Sequence, residues 1–362
     1  MFDVAVIGAG PAGTAAAFAL LEKGLKILLL DKYSFPRKKA CAGGITPKGY
    51  HLFQYDISPV VKRECRAVNI IDQSRKSFLI RDQNTICYMT KRQDLDLFSL
   101  NKVMEKGAQF RVIKEIRSII ETPHFVEINA GKDRFKASYL IGADGANSIV
   151  RRFLTKHRFW EKQMAIEADI KVDRPDGYSM EFDFSKIRNG YFWIFPKDDH
   201  VNIGIYSNDS HAKLQTRQLF EYAAQRFFAR KLEAVKGYPI CTGGVSYRPD
   251  SNRILLAGDA AGMAEPLLGE GIYFAVKTGQ EAAAAILESR EAYHVFAKDI
   301  YLEKLRQVQT DLRLYQAGSK FFYRFSRVSL KLLSFPFIHQ YFARGYAAGK
   351  PLSRILPGGW MI

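Results

Sequence analysis

Three glycine-rich turns hold the residues whose types and spacing can do chemistry. Gly8, Gly10 and Gly13 stand in G-x-G-x-x-G spacing; Gly142, Asp144 and Gly145 form a second turn; Gly258, Asp259, Gly269 and Gly271 form a third. A turn between a buried strand and a helix offers backbone N–H groups and the positive end of the helix to a phosphate. In the first turn Gly8 permits the sharp bend, Gly10 lets the backbone approach a pyrophosphate, and Gly13 lets strand and helix pack closely. Asp31 lies 18 residues after Gly13, where an acidic side chain accepts ribose hydroxyls. Together the turns read as a binding edge for a long, two-ended dinucleotide. For each turn taken singly, a plain structural bend is the competing reading.

The elements that must position these turns follow from the apolar pattern. Residues 4–7 and 26–30 read as buried parallel strands, with a small-residue helix at 15–21 between them. Residues 34–50 hold two prolines, three glycines, four basic residues and Cys41, and read as a loop. Short strands are expected at 68–71, 77–80 and 85–89, then a helix ended by Gly107, a parallel strand at 109–113, and a hairpin turning at Ala130 and Gly131. Residues 151–250 change character: 164–172, 178–184, 191–195 and 201–206 alternate as antiparallel strands, and 214–231 reads as an amphipathic helix. The chain then returns to strand, turn and an Ala-rich helix at 272–289. The tail reads as helical to about residue 314, and beyond Asp311 it carries no acidic side chain while Lys, Arg and aromatic residues alternate.

The bulk numbers narrow the partners. The chain has 362 residues, enough for two domains, with 47% apolar and 25% charged residues. Its net charge of +17 calls for an anionic partner. No compact basic run or nucleic-acid motif is present, so nucleic acid is not expected. Cys41, Cys65, Cys87 and Cys241 have no metal-ligand spacing, so no metal site is expected and a reducing, cytoplasmic setting is. The first strand begins at residue 2 or 3, which leaves no room for a signal peptide, and no apolar run approaches the ~20 residues of a membrane span.

The order of the three turns resembles flavoproteins of the para-hydroxybenzoate hydroxylase fold. Two further motifs resemble the geranylgeranyl reductase family: Lys39-Ala-Cys-Ala-Gly-Gly44 is similar to its Cys-x-Gly-Gly loop, and Tyr191-Phe-Trp-Ile-Phe-Pro196 to its Tyr-x-Trp-x-Phe-Pro signature. The resemblance implies an α/β fold: a Rossmann-type FAD-binding domain (1–65, 90–150, 251–292), an inserted antiparallel-sheet substrate domain (66–89, 151–250), and a helical, basic and aromatic C-terminal region (293–362). It implies FAD as cofactor, held at Gly8, Gly10, Ala12 and Gly13 on the pyrophosphate, Asp31 on the adenosine ribose, and Arg92 on the pyrophosphate. Ile116 would meet the adenine end through its backbone, and Asp259 the ribityl and phosphate groups. Gly271 and Ile272 would present N–H groups to the pyrimidine edge, and Cys41, Ala42 and Gly44 would line the flavin side of the substrate cavity. Many relatives have Glu where Asp31 stands, so that match is chemical rather than identical.

The resemblance implies a flavin-dependent reductase of isoprenoid C=C bonds, with Cys41, Tyr191 and Trp193 as the candidate catalytic residues. Cys41 also reads as a small residue in a tight loop, and Tyr191, Trp193 and Phe195 also read as plain core. The implied partners are a prenyl or lipid substrate and a donor, either NAD(P)H or a ferredoxin-like carrier. The tail reads either as peripheral contact with the inner face of a membrane or as helices packed on the core. A monooxygenase or halogenase-like enzyme of the same fold is the alternative; a halogenase strand would read Trp-x-Trp-x-Ile-Pro, and Tyr191 and Phe195 depart from it. A flavin-binding carrier without turnover is the third reading.

Overall fold

The computed structural model describes residues 1–154, 161–232, 235–292 and 294–356. The parts of the expected 151–250 and 293–362 segments at 155–160, 233–234, 293 and 357–362 lie outside the described residues. Strand Phe2–Ile7 is buried from Val4 onward, as a central parallel strand covered on both faces must be. It pairs in parallel with Ile27–Asp31 on one side and Asp133–Gly142 on the other. The seven-stranded sheet runs Gln109–Val112, Ile27–Asp31, Phe2–Ile7, Asp133–Gly142, Val126–Ala130, Ser118–Glu121, and Ile254–Leu256 joins it in parallel along the end of Asp133–Gly142. Ile7, Asp31, Gly142 and Leu256 therefore end on one carboxyl edge, where open α/β sheets bind ligands. Helices Pro11–Leu21 and Ile272–Glu291 pack backbone to backbone, since a Cβ on Gly279 would stand 2.2 Å from the Ala12 carbonyl oxygen.

A second seven-stranded sheet runs Lys236–Cys241, Lys162–Ile170, Val201–Ser207, Gly190–Pro196, Met180–Asp183, Ala67–Ile71, Ser77–Arg81. Its neighbours are antiparallel except Met180–Asp183 with Ala67–Ile71, which run parallel. Gly190–Pro196 is buried throughout because both of its faces are covered. Phe192 and Ile194 pack with Ile203 and Ile205 beneath helix Thr216–Phe227, while Tyr191, Trp193 and Phe195 point the other way. A three-stranded sheet, Gly44–Ile45, Cys87–Thr90 and Val61–Cys65, joins the two larger ones.

The C-terminal helix differs from the sequence expectation. It runs Ala297–Arg324, ten residues past the expected end at about 314. Tyr315, Ser319 and Tyr323 continue its buried face at four-residue spacing, and Gly318 falls on the exposed face, where no packing is lost. Ser326–Leu333, Pro336–Ala347 and Leu352–Ile355 follow, and Tyr323, Leu330 and Ala343 lie in one cluster with the Tyr191 face. Among the described residues no helix is long and apolar enough to cross a membrane.

Candidate active site

The first turn is built by steric necessity. Gly8 has φ +108°, and a Cβ there would stand 2.3 Å from the Ala143 carbonyl oxygen; one on Gly13 would stand 1.8 Å from that of Gly8. Gly10 caps the helix, and among the described residues no side chain caps its N–H groups. Arg37 and Arg92 flank it: their Nη2 atoms lie 3.5 and 3.9 Å from where a Gly10 Cβ would be. Both bind Asp96, Arg92 through Nε and Nη2 at 2.9 Å each and Arg37 through Nη2 at 3.0 Å. Lys39 Nζ stands at the second turn, 5.1 Å from the Tyr238 ring centroid and 3.8 Å from a Cβ position on Gly145. Burial, and then Arg92, lower the Lys39 pKa. Among the described residues Arg37 Nε is buried without a partner. Two arginines at an uncapped helix end, one with an orphaned donor, and a lysine at the neighbouring second turn fit a diphosphate.

Asp31 holds this turn together. Its carboxylate accepts Ala9 N at 2.8 Å and Tyr33 N at 2.9 Å. Ile116 lies in the segment between strands Gln109–Val112 and Ser118–Glu121, packed on the main core. Ala12 and Gly258 meet, with a Gly258 Cβ position 3.1 Å from Ala12 Cβ. Arg151 ties the second and third turns by donating to the carbonyls of Ala146, Asp259 and Ala260.

At the far end, Gly271 caps the 20-residue helix Ile272–Glu291, and among the described residues no side chain caps it. Asp259 Oδ1 lies 3.5 Å from a Cβ position on Gly271, so the structure brings these two predicted residues together. Burial raises the Asp259 pKa against the pull of Lys39, Arg92 and Arg151. The turn before Gly271 is over-determined. Glu265 accepts N–H groups of Leu267, Leu268 and Glu270 at 2.6, 2.8 and 3.0 Å. Three tyrosine hydroxyls donate to successive carbonyls: Tyr206 to Pro266, Tyr323 to Leu267 and Tyr191 to Leu268.

The Cys41–Gly44 loop meets the aromatic strand. A Cβ on Gly44 would stand 2.8 Å from Phe195 Cε2, and the Gly43 carbonyl accepts Thr90 N at 2.7 Å. Cys41 is half-buried, and its N–H donates to Glu167 Oε1 at 3.0 Å. Burial pushes the Glu167 pKa up to about 7. Lys197, directly after the aromatic strand, donates from Nζ to the Ala42 carbonyl at 2.6 Å. Trp193 Nε1 donates to Asn202 Oδ1 at 2.8 Å, which fixes the indole plane. Tyr191, Trp193 and Phe195 then form one wall with Phe182 and Tyr206, covered by Phe322 and Tyr323.

The residues named from sequence thus fall into three neighbourhoods. Gly8, Gly10, Ala12, Gly13, Asp31 and Arg92 surround the first turn; Asp259, Gly271 and Ile272 the third; Ala42 and Gly44 join the wall of Tyr191 and Trp193, while Cys41, in the same loop, packs on the separate cluster of Ala15, Ile45 and Ile272. Sequence reasoning missed Arg37, Lys39, Arg151, Glu167, Lys197 and Glu265. Only the basic run Arg37–Lys39 and the position of Lys197 after Pro196 offered a signal. Glu167 and the Arg151–Arg152 pair lie in ordinary strand and helix sequence.

Residues 1–290 match the family described as FAD binding domain. An uncharacterised protein of Methanosarcina barkeri is 34% identical over 324 residues, 89% of this chain and 84% of that protein. Digeranylgeranylglycerophospholipid reductase 1 of Methanopyrus kandleri is 28% identical over 312 residues, 80% of this chain and 81% of that one. The solved structure of a geranylgeranyl bacteriochlorophyll reductase-like protein from Thermoplasma acidophilum superposes with a TM-score of 0.81 at 21% identity, covering 98% of this chain and 97% of that one. With its cation-lined first turn, uncapped helices and matching motifs, the chain is an FAD-dependent oxidoreductase and belongs to the FAD binding domain family, with digeranylgeranylglycerophospholipid reductases among its relatives.

Proposed function

We propose that this enzyme saturates isolated C=C bonds of a prenyl chain carried on a lipid or other anionic head group. The observation that carries the reading is the wholly aromatic face of Gly190–Pro196, joined to the Cys41–Gly44 loop at Phe195 and Gly44. FAD, bound and reduced, supplies a hydride equivalent. The chain's own residues supply everything else. Arg37, Lys39 and Arg92 hold the diphosphate, and the Gly271 helix end stabilises negative charge at the flavin's pyrimidine edge.

An isolated alkene has no carbonyl to polarise it, so positive charge builds on its more substituted carbon as a proton reaches the less substituted one, and the hydride equivalent then quenches that charge. The faces of Tyr191 and Trp193 stabilise that charge through their quadrupoles. The buried wall also excludes water, and Ala42 and Gly44 close its loop side. The M. kandleri relative's name, a digeranylgeranylglycerophospholipid reductase, supports a lipid-borne substrate. The net charge of +17 supports an anionic head and an acidic electron carrier, with NAD(P)H as the other donor class.

The test is anaerobic. Dithionite-reduced protein is mixed with geranylgeranyl lipids and diphosphates, and the products are weighed by mass spectrometry. Gain of two hydrogens per reduced bond is expected; no gain on any prenyl substrate overturns the reading.

A further inference from the structure

One charged group at this site has no charged partner. Lys197 is 3% exposed and stands where strand Gly190–Pro196 ends. Its Nζ donates to the Ala42 carbonyl at 2.6 Å and lies 3.6 Å from Met89 Sδ. It is 5.9 Å from the Phe195 ring centroid and 3.5 Å from a Cβ position on Gly43. Among the described residues no carboxylate comes within 4.0 Å of it. Burying an unpaired ammonium is costly, and replacing it with an apolar side chain would normally stabilise such a site. A charge kept there needs a chemical reason.

We infer that Lys197 is the proton donor of the proposed reduction, giving the proton on Nζ to the alkene carbon opposite the one that receives hydride. The inference rests on the reductase reading above. Saturation consumes the alkene's π bond and forms two C–H bonds. The electron pair arrives with the hydride equivalent from the reduced cofactor, which is oxidised. The second hydrogen arrives as a proton when the Nζ–H bond breaks, leaving neutral lysine to be reprotonated by water after product leaves.

The other candidates at the wall are committed elsewhere. The Tyr191 hydroxyl donates to the Leu268 carbonyl, and burial holds its pKa well above the usual range. The indole N–H of Trp193 is bound to Asn202. Glu167 faces the Cys41 backbone rather than the aromatic cluster. Lys197 touches two members of that cluster, Met89 and Phe195. Burial lowers its pKa to about 8 against Cys87, Cys41, Cys65 and Asp169, the titratable groups facing it from the small sheet, the loop and strand Lys162–Ile170. At neutral pH it is therefore protonated and close to the ideal acidity for a general acid.

The experiment follows FAD-loaded protein pre-reduced with dithionite through one anaerobic turnover of a geranylgeranyl lipid, across pH 6–10. In parallel, the lysine Cε resonances of FAD-loaded protein are titrated by NMR. For wild type the rate is expected to fall as pH rises through ~8, and one Cε resonance, absent in Lys197→Met, to titrate at the same midpoint. Lys197→Met is expected to keep its flavin spectrum and lose about 100-fold or more in rate, with partial rescue by ethylamine. Lys197→Arg, which keeps the charge and does not titrate there, is expected to stay slow.

A Lys197→Met rate within threefold of wild type overturns the inference. So does a Lys197 resonance that titrates above pH 10, identified as the signal present in wild type and absent from Lys197→Arg even if the Met variant fails to fold. If the high-pH loss instead disappears in Glu167→Gln, the donor is Glu167. Failure of wild type to reduce any prenyl substrate sinks the parent reading; reduction by wild type with an unimpaired Lys197→Met sinks only this one.

Discussion

Glu167 shows how one side chain can both hold and burden the site. Its carboxylate accepts the Cys41 N–H, yet burial lifts its pKa from 4.5 to about 7. Between those values the folded state keeps a proton that the unfolded chain has lost. The resulting stability is complete below pH ~4.5 and is lost as pH rises through ~7. Glu167→Gln removes this dependence. On raising the pH from 5 to 8, wild type is expected to lose up to about 3 kcal/mol relative to that variant in denaturant unfolding. Equal slopes for the two proteins would contradict the assignment of this titration. The same residue marks a limit of sequence reading. Nothing in strand Lys162–Ile170 distinguishes Glu167 from an exposed strand carboxylate, because its partner Cys41 lies 126 residues away.

At the scale of elements, the aromatic strand has two separable functions. The rings of Tyr191 and Trp193 form the wall, while the Tyr191 hydroxyl ties the strand to the turn before Gly271. Tyr191→Phe keeps the ring and orphans the Leu268 carbonyl, at a cost of about 1–3 kcal/mol. A lower thermal midpoint and weaker FAD retention are expected, with single-turnover reduction by the flavin-loaded fraction little changed. Tyr191→Leu is expected to slow that reduction as well, which separates the ring from the hydroxyl.

Much of this was legible in the chain. The strands ending at Ile7, Gly142 and Leu256 announce themselves as apolar runs before glycine turns and the one ending at Asp31 as an apolar run into an acid, and the alternation of Tyr191, Trp193 and Phe195 gives the aromatic face directly. The clamp on Pro266, Leu267 and Leu268 was not legible, because its donors come from two strands and a distant helix. Nor was the end of helix Ala297–Arg324, where an exposed Gly318 resembles a stop but costs no packing.

Across the whole molecule, charge and grease are gathered on the C-terminal helices. Phe321, Phe325, Val328, Leu332, Phe335 and Phe337 are exposed, Phe337 by 82%, among Lys320, Arg324, Arg327 and Lys331. Apolar side chains beside cations with no acid among them suit an anionic bilayer surface, each cation adding about 1 kcal/mol there. We therefore expect the protein to float with phosphatidylserine-containing vesicles and not with phosphatidylcholine alone. Phe335→Ser combined with Phe337→Ser should weaken flotation, and higher salt should weaken it further. Equal flotation with both vesicle types would contradict electrostatic docking.

Tyr323 gives that surface a mechanical link inward. It sits on the same helix as Phe321 and grips the Leu267 carbonyl, four residues before Gly271, which starts helix Ile272–Glu291. A sideways push on the greasy helices therefore works as a lever on the turn before Gly271, the helix end we propose for the flavin's pyrimidine edge. Seating on a bilayer would register as a shift of the yellow absorption band, before any substrate has entered.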